Sequence, residues 1–337
     1  MKFFPSAGTA TPGVSLKPKT RRALCAMPLR LLRAAFIIGM CYVMLYPLLF
    51  IVSSGFMRVE DMINPSVVWL PRGFSLRAMS AAVSLMSYGR STLKTLLITV
   101  PSTCLQLLTA VLAGYGFARF RFWGRNLMFA VLIFTIIVPV QSYSIPLYVN
   151  MKNFDFFGIG SLVGLVTGTP LTVNMLDREL LFYIMAFFGA GIRSGLCIFI
   201  VRQFYRNMPQ ELEEAAMIDG CGPLRTFLRV MLPNTLPLMA TVFLFSVVWY
   251  WNDYTLSALF FRVDFTVSVN LTMLRAMLVT LSQQLGGVAG IAGQELILMR
   301  EPIIACGCLL TALPPVVLYA FVQRFFTEGV ERSGIVG

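Results

Sequence analysis

The chain has 337 residues, 57% of them hydrophobic and 12% charged, with a formal charge of +12. Soluble domains carry roughly 25% charged residues, and a soluble protein of this composition would lack the polar surface to cover its own core. A bilayer is therefore required. Nucleic-acid binding is excluded as the meaning of the positive charge, because the basic residues stand between apolar runs rather than in one stripe.

Runs of about 20 apolar residues mark membrane helices, and six are expected in an all-α polytopic protein. A basic tail, residues 1–33, holds Lys2, Lys17, Lys19, Arg21, Arg22, Arg30 and Arg33 and no acid, so it stays inside by the positive-inside rule. The run after it is long enough to span, which distinguishes it from a cleavable leader. The first span covers 34–53, with a kink at Pro47. Residues 54–94 read as an outer loop with short helical pieces. A core of five spans, 95–323, follows. Its first span, 95–118, ends in the basic turn Arg119, Arg121 and Arg125. The next covers 127–148, with Pro139 and Pro146 near its outer end. An outer segment, 149–179, precedes the fourth span, 180–201. The fifth, 237–259, follows a polar stretch.

Residues 260–301 are mixed and rich in glycine (Gly286, Gly287, Gly290, Gly293), an outer loop with room for a helix. The sixth span is 302–322, and 324–337 forms an inner tail. Inner segments then carry 16 Lys or Arg and outer segments ten, which puts both termini in the cytoplasm. The seven cysteines fall in spans or inner segments, so no disulfide framework is expected. No short repeat stands out.

The stretch between the fourth and fifth spans, 207–233, reads as two short helices around a turn. Asn207 is suited to cap the first and Pro209 to its first turn, while Glu211, Glu213 and Glu214 complement its dipole. Gly220 suits a left-handed helix end. Pro223 starts the second helix and Pro233 ends it. Helical spacing groups Leu212, Ala215 and Ala216 on one side and Glu211, Glu214 and Ile218 on another. Such an apolar knob with an anionic edge fits a docking helix. The same pattern also fits an amphipathic helix lying on the membrane surface.

Glu214-Ala215-Ala216, then Gly220, then Val230-Met231-Leu232-Pro233 resembles the EAA signature of binding-protein-dependent ABC importer permeases, with Val230 where Ile is usual. Further matches are Trp69 to Ser75, Ala113 to Arg121, Trp123 to Arg125, Ile145 to Tyr148, Ile198 to Phe204, Trp251 to Asp253 and Gln323 to Phe325. Together they resemble the carbohydrate branch, of the maltose-permease and polysaccharide-permease type, from about residue 31 onward. Two departures are a longer 160–179 connection and Val336 near the place of a common Lys.

The resemblance implies the type I importer permease fold and four partners besides membrane lipids: a second permease, two ATPase subunits and an extracellular sugar-binding lipoprotein. It implies that Glu211, Glu214, Ala215, Ala216, Ile218, Asp219, Gly220, Leu232 and Pro233 form the ATPase-coupling site, with Glu214 facing a basic residue of the ATPase. The chain has no Gly-x-x-x-x-Gly-Lys-Ser/Thr run to cradle phosphates, so ATP and Mg would belong to the ATPase and no cofactor to this chain. With no histidine, Ser-His-Asp catalysis and His-ligated metal sites are excluded.

Arg193, placed inside the fourth span, is either a cavity-facing group for a polar or anionic sugar, a snorkelling side chain, or the partner of Asp177 or Glu179. Trp249, Trp251, Asn252 and Asp253 fit either a sugar path or an interfacial aromatic belt. Gly191 with Gly195, and Gly286 with Gly290, read as close helix contacts. Cys306 and Cys308 read as packing, and Gly158, Gly160 and Gly164 have the wrong spacing for a nucleotide loop. Other readings are an ABC permease for peptide, phosphate or glycerol phosphate, an ion-coupled carrier, or a membrane enzyme. The last two lack intramembrane acids and a convergent polar cluster.

Overall fold

A computed structural model describes residues 18–64, 66–67, 71–286 and 295–333. Expectations that fall on Lys2, Lys17, Trp69, Gly287, Gly290, Gly293 and Val336 lie outside these residues. Among the described residues there is no strand; two isolated bridges join Met57 to Phe74 and Phe154 to Val173. The architecture is all-α, and three helices are long and apolar enough to cross a membrane: Arg30–Gly55, Tyr88–Arg119 and Arg300–Gln323.

The first of these belongs to α1 (Pro18–Gly55), which already begins inside the basic tail and runs unbroken through Pro47. Its apolar window has 0% of its residues buried in the protein, as expected of a surface solvated by lipid. Its C-terminal end is tied to α16 (Arg300–Ser333), where Cys306 Sγ donates to the Gly55 carbonyl at 3.0 Å. Helix α16 continues well into the segment expected as an inner tail. The short helices α2 (Val59–Ile63) and α3 (Arg77–Leu85) lie in the segment expected to hold short helical pieces. Asp61 closes it by accepting the Arg72 and Gly73 amides at 2.9 and 3.2 Å.

Helix α4 (Tyr88–Arg119) is the central column. Small and polar residues on its buried face let neighbours approach closely; a Cβ on Gly114 would lie 2.7 Å from Val201 Cγ1. It packs against α8 (Leu180–Phe187), α9 (Ser194–Asn207) and α13 (Leu236–Trp251).

Three expected spans are interrupted. The third divides into α5 (Arg125–Ile137) and α6 (Val140–Lys152), which meet at 105°. Pro139 lacks an amide hydrogen and drives Val138 into an extended conformation, φ −69°, ψ 120°, so the helix cannot pass. The fourth divides into α8 and α9 at residues 188–193, where Gly189 (φ +74°) and Arg193 (φ +54°) are left-handed. The fifth ends at Trp251 rather than at 259; a separate α14 (Thr255–Phe260) follows, capped by Asp253. Before it, residues Pro223–Asn234 meet α13 at 71°.

Two regions expected as loops are partly helical. Helix α7 (Ile159–Thr167) occupies the extended outer connection, and Gly160 and Gly164 let the returning chain at Pro170 and Leu171 lie against it. The segment after residue 260 contains α15 (Val267–Gly286), which packs on α4 and α16.

The break between α8 and α9 is held by one side chain. Gln106 of α4 is buried; its Nε2 donates to the Ile192 carbonyl at 3.1 Å and Ser246 Oγ at 3.2 Å, and contacts Cys197 Sγ at 3.3 Å. Its Oε1 accepts from Ser194 Oγ at 3.0 Å and Tyr250 Oη at 2.8 Å. Gly191 is required beside this node, since a Cβ there would lie 2.3 Å from Tyr250 Oη. Interhelical hydrogen bonds in membranes average about 0.6 kcal/mol each, so Gln106→Leu is expected to cost about 2–3 kcal/mol. The measure is thermal unfolding in detergent, with Gly191→Val losing at least as much; an unchanged melting temperature for both would remove the node from its structural role.

Candidate functional site

The expected coupling segment lies between the end of α9 and the start of α13. Asn207 is the last residue of α9 and does not cap the next helix; Gln210 is the N-cap of α10 (Glu211–Ile218), without a side-chain hydrogen bond. Glu211, Glu213 and Glu214 occupy the first turn, where they complement the helix dipole. At the other end Gly220 has φ +80°, as its sequence position requires. Its amide bonds the Met217 carbonyl at 3.0 Å and the Cys221 amide bonds the Ala216 carbonyl at 2.9 Å, a Schellman closure. A Cβ at Gly220 would meet nothing within 4 Å, so the demand for glycine is conformational rather than steric.

The returning arm begins as α11 (Pro223–Thr226), with Pro223 in the first turn. It then widens into a π-helical turn, Phe227–Met231, in which the Leu232 amide reaches the Phe227 carbonyl, and closes as α12 (Leu232–Asn234). Pro233 sits inside this arm rather than ending it at once. Its missing amide and its ring disturb the preceding turn, which the wider π geometry accommodates. Phe227 stacks 4.7 Å from Tyr115 of α4, and Met231 is fully buried among Tyr115, Tyr205 and Val201.

The faces of α10 differ in part from the sequence expectation. Ala216 is buried against the protein itself, while Leu212 and Ala215 are exposed. Ile218 is the most exposed apolar residue of the helix at 86%. Glu211, Glu214 and Asp219 are also exposed, Leu232 is half-buried and Pro233 exposed.

Sequence reasoning missed the residue that fixes this helix. Glu213 points inward and its Oε1 lies 3.2 Å from Arg119 Nε, at the end of α4; the two side chains are only 13% and 6% exposed. Arg119 Nη2 also donates to the Met208 carbonyl at 2.8 Å. One guanidinium thus holds both the lead-in and the first turn of α10. The available signal was spacing, because Glu213 is the one acid of the first turn on the side of Ala216.

The five path candidates separate. Arg193 and Trp249 come together, with the guanidinium carbon 5.1 Å from the ring centre, and Trp249 stacks on Phe245 at 5.8 Å. Arg193 is exposed and pairs with neither expected acid: Asp177 accepts the Arg262 amide, and Glu179 pairs with Lys94 at 3.6 Å. Trp251 is buried, with Nε1 on the Thr311 carbonyl at 2.9 Å. Asp253 accepts the Ser257 amide and hydroxyl at 2.7 and 2.9 Å. Both positions are therefore structural. Asn252 is exposed and turned back to the Val248 carbonyl. Lys94, also missed, is buried and lies 3.8 Å from the centre of the Phe261 ring.

Among the described residues no three His, Cys, Asp or Glu side chains converge as metal ligands would. What the arrangement provides is mechanical, a short helix on a rigid double arm. Glu213→Gln is expected to lower stability by about 1–3 kcal/mol, because it strands a largely buried guanidinium. The double variant Arg119→Met/Glu213→Leu should recover part of this. Thermal melting and limited proteolysis across residues 208–222 read both; equal stability of all three proteins would deny the strut.

A family model described as "Binding-protein-dependent transport system inner membrane component" matches residues 106–332. The chain is 24% identical over 302 residues to the polygalacturonan/rhamnogalacturonan transport system permease protein YtcP of Bacillus subtilis, covering 90% of this chain and 96% of that protein. It is 29% identical over 271 residues to the melibiose/raffinose/stachyose import permease protein MelC of the same organism, covering 80% and 84%. In fold it is similar to a chain of a bacterial ABC transporter that imports the acidic polysaccharide alginate, with a TM-score of 0.67, 21% identity, and coverage of 94% of this chain and 100% of that one. The chain therefore belongs to the inner membrane components of binding-protein-dependent transport systems: it is a transport permease subunit and not an enzyme.

Proposed function

We propose that this chain forms half of the translocation pathway of an ATP-driven importer for sugars or oligosaccharides. Its partners would be a second permease, two ATPase subunits and an extracellular sugar-binding lipoprotein. ATP and Mg would be used by the ATPase, and this chain would carry the stroke rather than hydrolyse anything. Both termini and the 207–233 segment would lie on the cytoplasmic side.

The observation that carries this reading is α10 itself. It is bolted to the core through Glu213, Ala216 and the Tyr115–Phe227 stack, yet it offers Glu211, Ala215, Ile218 and Asp219 outward. A helix braced from behind and bare in front suits pushing by another protein. Glu214, exposed in the first turn, would meet a basic residue of the ATPase, and Gly220, Leu232 and Pro233 would shape the return. The names of the relatives support a saccharide substrate, since those proteins transport polygalacturonan, rhamnogalacturonan and melibiose-type sugars. Arg193 beside Trp249 adds a cation and an aromatic face of the kind sugars accept.

Glu214→Lys should cut recovery of the ATPase with the tagged permease by about tenfold or more, through reversal of a charge at a contact. Gly220→Val should do the same, since a β-branched residue in the left-handed region costs about 1–2 kcal/mol. Insertion into the membrane should be unchanged, and undiminished recovery of the ATPase would reject the docking role. Binding assays on the cognate receptor protein test the substrate, with tight binding of peptide and none of saccharide as the overturning result.

A further inference from the structure

Behind α10 lies a cleft of about 720 Å³ that shares only Glu214 with the proposed coupling residues. It is walled by the α4–α5 turn, the end of α9 and the rear face of α10, and five arginines line it against two glutamates. Glu213 is engaged by Arg119 at 3.2 Å. Arg121, Arg125, Arg202 and Arg206 have no carboxylate partner among the described residues, which leaves Glu214 at the rim as the remaining acid.

Four guanidinium groups are thus crowded together, and Arg202 experiences the positive charge of both Arg125 and Arg206. Its Nε is buried without a hydrogen-bond partner, while its plane lies 3.7 Å from the centre of the Phe129 ring. Like charges held this close are destabilising unless an anion sits between them. Arginine forks suit phosphate oxygens in particular.

The surroundings indicate which phosphate. Helix α5 leaves the cleft with none of its residues buried, exposing Leu127, Val131 and Phe134 by 71%, 56% and 64%. A smaller hollow at the α4–α5 turn joins Leu127 directly to Arg121 and Arg125. Trp123, 99% exposed, stands at the same turn, as an aromatic at a membrane interface does. A basic pocket continuous with an apolar wall matches a charged head followed by acyl chains. A free phosphate or an acidic protein surface would use the arginines and leave the wall bare.

We infer that this cleft binds the phosphodiester headgroup of an anionic phospholipid of the cytoplasmic leaflet, with its acyl chains along α5, immediately behind the coupling helix. The inference rests on the orientation proposed above. A lipid held there would brace the rear of α10 against the membrane, so transport would depend on anionic lipid without any change in the ATPase.

The test uses the full chain in nanodiscs of equimolar phosphatidylglycerol and phosphatidylcholine, with lipids retained on the protein counted by native mass spectrometry. The wild type should retain phosphatidylglycerol preferentially. Arg121→Gln/Arg206→Gln, which removes two exposed guanidiniums without a carboxylate partner among the described residues, should lower the ratio by about fivefold or more, given roughly 1 kcal/mol per basic residue at an anionic surface. Equal retention of the two lipids by the wild type overturns the proposal. Displacement of phosphatidylglycerol by millimolar inorganic phosphate reassigns the cleft to a free anion. Loss of ATPase recovery in the double variant with an unchanged lipid ratio assigns it to protein docking. Labelling of Cys221 by an impermeant thiol reagent from outside intact cells reports a failed orientation separately.

Discussion

Inside a hydrocarbon, a backbone that leaves the helical path must find its hydrogen bonds within the protein. The chain meets that constraint at the α8–α9 break with Gln106, which joins Ile192, Ser194 and Cys197 to Ser246 and Tyr250 of α13. Three helices are locked through one buried amide. The arrangement lets a span be interrupted without loss of stability, and an interrupted span can present a left-handed Arg193 toward Trp249.

The same column, α4, carries the second junction. Its middle holds the break through Gln106 and its end holds α10 through Arg119. Tyr115 between them meets Tyr205 of α9 edge to face and Phe227 of the returning arm at a tilt. Helix α10 and its flanking segments are therefore joined to α4 by an ion pair, a hydrogen bond and an aromatic contact. From α4 the break at Ile192 is reached through the hydrogen bond that Gln106 donates to its carbonyl. Packed and hydrogen-bonded side chains thus connect α10 to the break between α8 and α9.

Much of α10 was legible in the sequence. The acids of its first turn, the left-handed Gly220 and the Pro223 start all follow from rules that act within four residues. The faces were less legible. Helical spacing grouped Leu212, Ala215 and Ala216 together, but only Ala216 is buried, because the core touches α10 along one line. Trp251 and Asp253 carry the chemistry of a sugar site and serve instead as a packing anchor and a helix cap. Their partners, Thr311 and Ser257, show which use is made of them, and Thr311 is 60 residues away.

By itself the sequence determined that the chain lives in a bilayer, where its apolar runs lie, and which short segment resembles an importer's coupling loop. Those features depend on composition and on interactions between residues close in the chain. Tertiary structure alone decided where the spans break, which acid turns inward, and that four arginines from three elements share one cleft. Prolines and glycines permit a break at many places in a membrane helix, and the break stands where a distant side chain such as Gln106 supplies the missing hydrogen bonds.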